Sequence, residues 1–88
     1  MKSMGKHEKL MYKILSGRQD ASIQFSEAVA LLQTLGFSLR IKGSHYIFYR
    51  EGVEEIINIQ ADGSKAKAYQ VKQIRDLIVK YRLEAGND

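Results

Sequence analysis

The chain has 88 residues, of which 44% are apolar and 27% charged, and a formal net charge of +4. Such a length and balance describe one small domain with a single thin core, burying about 60–65% of the surface its unfolded chain exposes. The sequence has no cysteine, which excludes disulfides, thiolate zinc sites and cysteine nucleophiles together, and its longest apolar run falls far short of the roughly 18–20 residues a bilayer span needs.

The first stretch, "MKSMGKHEKLMYKIL", has basic residues but no continuous apolar segment, so a cytoplasmic chain is expected rather than a secreted one. Leu10, Met11, Ile14 and Leu15 recur at helical spacing, and Gly17 closes a short helix over residues 7–15. Residues 1–24 read as an N-terminal extension that ends in a polar connector, "SGRQDAS". Ser26 is a candidate N-cap with Glu27 in the first turn, and Ala28, Leu31, Leu32 and Leu35 give a helix over residues 26–35, ended by Gly36. "FSLRIK" alternates Phe37, Leu39 and Ile41 with Ser38, Arg40 and Lys42, the pattern of a half-buried strand. "HYIFYR" is a second strand, and Gly43-Ser44 between them supplies a tight hairpin turn. "EGVEE" reads as a turn, "IINIQ" as a third strand and "ADGSKAKA" as a loop. Val71, Ile74, Leu77, Ile78 and Tyr81 then mark an amphipathic helix over residues 69–82, with a flexible tail over 84–88. An α+β fold follows: an antiparallel three-stranded sheet in the order α-β-β-β-α, two helices on one face, and an extra N-terminal helix.

Two basic segments flank an acidic one. Residues 37–50 carry Arg40, Lys42 and Arg50 without an acid, and residues 65–82 carry six Lys or Arg against Asp76 alone. Between them lie Glu51, Glu54, Glu55 and Asp62. A basic face of this kind suits phosphate backbones; a merely solvated surface is the alternative. If Gly43-Ser44 is a two-residue turn, Lys42 pairs with His45, and His45 shares a face with Arg40, Lys42, Ile47 and Tyr49. Tyr46 and Phe48 then join Phe37, Leu39 and Ile41 in the core. A slip of one residue would invert both faces. His7 and His45 are the only histidines, and no spacing marks a metal site, so neither a metal nor another cofactor is expected.

"LLQTLGFSLRIKGSHYIFYR" resembles the HicA family of bacterial toxins, the mRNA-cleaving members of toxin–antitoxin systems. The resemblance rests on Leu35-Gly36-Phe37 ending a helix and on Gly43-Ser44-His45 between two strands. It continues through "INIQADGSKAKAYQVKQIRDLI" and covers about residues 26–83, so residues 25–83 are read as the HicA-like domain. It implies a fold like that of double-stranded-RNA-binding domains, a catalytic histidine at His45, and phosphate contacts from lysines near the last helix, at Lys65, Lys67 and Lys72. It also implies an mRNA substrate and a HicB-type antitoxin as partner. Two features depart from the family pattern. The N-terminal extension is longer than in short members, and "NIQADG" stands where a histidine-proline region is common.

The expected activity is a metal-independent endoribonuclease. His45 would act as general acid or base near neutral pH, and Arg40, Lys42, Gly43, Ser44, Tyr49, Lys65, Lys67 and Lys72 would bind RNA. The alternatives are a non-catalytic RNA-binding module using the same face, and a purely structural or interaction domain.

Overall fold

A computed structural model describes residues 5–85. The elements are α1 (Lys6–Ser16), one turn of 3₁₀ helix (Asp20–Ser22), α2 (Phe25–Thr34), β1 (Ser38–Lys42), β2 (His45–Arg50), β3 (Val53–Ile59), β4 (Ala61–Asp62), β5 (Lys65–Ala66) and α3 (Ala68–Tyr81). Residues 1–4 of the expected extension and 86–88 of the expected tail lie outside the described residues.

Strand alternation sets the sheet. The three strands lie in the order β1-β2-β3, both pairs antiparallel. Leu39, Phe48 and Ile57 form one cross-strand row, and Ile41, Tyr46 and Ile59 the next. Phe48, Ile57 and Ile59 are fully buried against α2 and α3, which supply Ala28, Leu31, Leu32, Val71, Ile74, Leu77 and Ile78 to the same core. The helices therefore cover one face of the sheet and leave the other open, as the sequence pattern predicts.

Ile41 is a correction. Its register puts it on the helix side, yet it is 55% exposed. It stands near the end of β1, an edge strand, where the helical layer does not reach over it. Tyr46, its neighbour in the row, is half-buried and meets the ring of Phe25 edge-on at 4.9 Å.

Three boundaries also differ from expectation. Gln24, not Ser26, starts α2: its backbone is extended, and its N–H donates to Glu27 Oε1 at 3.0 Å. Extended backbone at Gln24 serves a second purpose, because this residue bridges to Lys65. The turn in "EGVEE" shrinks to Glu51-Gly52, and β3 starts at Val53. "ADGSKAKA" is not a plain loop: β4 and β5 pair as a small hairpin around Gly63-Ser64. Gly63 at φ 63° does there what Gly43 at φ 61° does between β1 and β2. β5 is then held against the start of α2, with Phe25 N–H donating to the Ser64 carbonyl and Ala66 N–H to the Ile23 carbonyl, both at 2.9 Å.

α1 docks through Leu10 and Ile14, which are buried with the rest of the core, while Leu15 faces solvent. Arg75 of α3 locks this arrangement. Its Nη1 donates to the Ile14 carbonyl (3.1 Å) and to both carboxylate oxygens of Asp20 (2.8 and 3.1 Å). At the other end, Leu83 and Ala85 are buried, so packing continues past α3 into the first residues of the expected tail. No helix among the described residues is long and apolar enough to cross a membrane.

Candidate active site on the open sheet face

The β1–β2 hairpin places His45. Lys42 and His45 are register partners across the Gly43-Ser44 turn. Gly43 takes the left-handed φ and Ser44 does not, which matches a two-residue turn with glycine at its first central position. Arg40 pairs with Ile47, and Ile47 with Asn58 of β3. The open face thus carries Arg40, Lys42, His45, Ile47, Tyr49 and Asn58. Arg40, Lys42 and His45 are exposed and Ile47 is half-buried.

His45 is exposed but held. Its Nδ1 lies 3.1 Å from Asn58 Oδ1. Its Nε2 lies 3.4 Å from Gln60 Nε2, and that amide also donates to Ser44 Oγ at 3.1 Å. Gln60 is fixed in turn by Gln70, a residue of α3 that is 1% exposed. With its amide oriented to satisfy both ends, Gln70 donates to the Gln60 carbonyl and accepts from the Gln60 N–H, each at 3.1 Å. A buried amide in the helix layer therefore anchors the end of β3, and β3 holds the imidazole on the far side of the sheet.

The expected site residues divide into three groups. Arg40, Lys42, Gly43, Ser44 and His45 come together at one end of the open face. Tyr49 is 48% exposed on the same face, but four residues along β2, about 13 Å from His45 at the usual rise of a strand. Lys65 lies in β5 and not at a helix start; Lys67 immediately precedes α3 and is half-buried; Lys72 is exposed on α3, in the helical layer. The β4–β5 hairpin starts at Ala61, directly after Gln60, with Lys65 in its second strand and Lys67 just beyond it.

The basic segment 65–82 contributes less to one face than its charge suggests. Arg75 is bound to Asp20, which stabilises its charged form further. Lys80 Nζ lies 2.8 Å from Glu55 Oε2. Tyr81 Oη donates to Glu55 Oε1 at 2.5 Å and accepts from the Glu54 N–H at 3.3 Å. The Lys80 ammonium and the Tyr81 hydroxyl hold the Glu55 carboxyl down to about 2 from an ordinary 4.5. These cations tie elements together within the helix side of the fold.

Asn58, Gln60 and Gln70 are the residues that the motif reading passed over. A signal was present. In "IINIQ", period two puts Asn58 and Gln60 on the polar face, and helical spacing puts Gln70 on the core face, four residues before Ile74. Among the described residues, no group of three His, Asp or Glu side chains gathers closely enough to hold a metal ion. No family model matches this chain, and neither a curated protein nor a solved structure matches it.

Proposed function

We propose that the chain is a HicA-type toxin, an mRNA-cleaving endoribonuclease with a fold of the double-stranded-RNA-binding-domain kind, in which His45 is the general acid–base residue. The observation that carries this reading is the position of His45. It is exposed on a sheet face free of helices, opposite Lys42, beside Arg40, and oriented on both ring nitrogens by polar side chains.

RNA brings its own nucleophile. A ring nitrogen of His45 takes the proton of a ribose 2′-OH as the 2′ oxygen bonds to phosphorus. The P–O5′ bond breaks, water protonates the departing 5′ oxygen, and the hydroxide left behind recovers the proton from the imidazolium. The product is a 2′,3′-cyclic phosphate. Arg40 and Lys42 offset the charge that develops on the phosphate oxygens, Tyr49 offers a ring for a base further along the strand, and Lys65, Lys67 and Lys72 contact flanking phosphates. No step requires a metal ion. A HicB-type antitoxin, covering the basic face, is the proposed partner, and the cytoplasm the proposed location.

The test compares wild type with His45→Ala on RNA in EDTA. Cleavage by wild type in chelator, and a loss of about 10²–10⁴-fold in the variant, is the expected result. Equal rates, or strict dependence on added metal, contradict the proposal. A second reading, a non-catalytic RNA-binding module, is favoured by one observation: both nitrogens of His45 already have partners. It expects RNA binding that weakens steeply with salt and no cleavage in either protein.

A further inference from the structure

Two amides converge on the one imidazole of the open face. Asn58 Oδ1 can only accept, so at 3.1 Å it requires the proton on His45 Nδ1. Gln60 Nε2 can only donate, so at 3.4 Å it requires a lone pair on His45 Nε2. Both partners ask for the same tautomer. The agreement comes from two residues placed by different contacts. Asn58 is the next-to-last residue of β3, paired in register with Ile47 on the open face. Gln60 spends its second amide hydrogen on Ser44 Oγ at 3.1 Å, and its backbone is clamped by buried Gln70. Supporting the opposite tautomer would require both amides to turn at once.

We infer that Asn58 is a positioning residue which, with Gln60, holds neutral His45 in the Nδ1–H tautomer and presents Nε2 as the basic nitrogen. An unconstrained histidine favours the other form, with the proton on Nε2, so this arrangement works against the side chain's own preference. A proton-accepting Nε2 lies at the outer end of the ring, and its place beside Gln60 is where an incoming hydroxyl would exchange for the amide N–H. Gln60 then keeps its bond to Ser44 while releasing the imidazole. The consequence for cleavage rests on the ribonuclease reading above; the tautomer itself does not.

The experiment is long-range ¹H–¹⁵N NMR of the imidazole in wild type, Asn58→Ala and Asn58→Asp, at a pH where His45 is neutral, with RNA cleavage measured on the same samples. Asn58 lies on the exposed face, and the aspartate variant keeps an acceptor at Nδ1. Wild type and Asn58→Asp should show Nδ1–H, and Asn58→Ala should move to mainly Nε2–H. Cleavage by Asn58→Ala should fall about 10–100-fold, the size that losing an imidazole's orienting partner has at metal-bound histidines, with rescue by aspartate. An Nε2–H signal in wild type overturns the inference, and so does an unchanged tautomer in Asn58→Ala. Neither result bears on whether the protein cleaves RNA. Conversely, absence of cleavage in every sample with the expected tautomer shift supports the positioning and overturns the nuclease reading instead.

Discussion

Gln70 is 1% exposed on the core face of α3, where an apolar residue is the ordinary occupant. Its amide exchanges two hydrogen bonds with the backbone of Gln60, and so reaches across to the residue that touches His45. Replacing it with leucine conserves bulk but strands the Gln60 N–H and carbonyl. Gln70→Leu should lower stability by about 1–3 kcal/mol, the cost of leaving half-buried polar groups unpaired. Urea unfolding checks this: the midpoint should fall with an unchanged slope. An unchanged midpoint would mean that Gln60 finds water in its place.

At the scale of elements, β3 and α3 are joined by Glu55, Lys80 and Tyr81. Glu55 is held to about 2 in the folded protein against an ordinary 4.5. Its contribution is therefore full above about pH 4.5 and is lost as pH falls toward 2. The stability difference between wild type and Glu55→Gln should be greatest near neutrality and vanish by about pH 2, as followed by thermal melts across that range. A difference that persists at the acid end would assign the effect to the neutral Tyr81 hydrogen bond rather than to the charge. Elements with strong periodicity were legible from sequence: β1, β2 and α3 lie within two residues of their expected bounds. The β4–β5 hairpin was not, because two-residue strands carry no period, and only the turn at Gly63-Ser64 marks it. Serine is a good local cap, which makes Ser26 the candidate that the sequence offers. Tertiary pairing of Gln24 with Lys65 overrode it and moved the cap two residues earlier.

For the whole molecule, the sheet has one face given to the core and one given to polar and basic side chains, and the Lys42–His45 register fixes which is which. This much of the candidate site could be read from alternation and one glycine. What could not be read was the destination of the charges. Arg75 and Lys80 belong by sequence to the same basic segment as Lys65 and Lys67, but folding commits them to Asp20 and Glu55. The polar and basic face left uncommitted is correspondingly compact, centred on the end of one hairpin. On the proposed ribonuclease reading, His45 takes a proton from the 2′-OH of an RNA substrate. The most direct measurement is end-group analysis of a single oligonucleotide, as all-RNA and with 2′-deoxyribose throughout, after exposure to wild type and His45→Ala in chelator. We expect 2′,3′-cyclic phosphate ends only from RNA with wild type. Scission of the deoxy strand, or the same cyclic ends at the same rate from His45→Ala, would contradict the account.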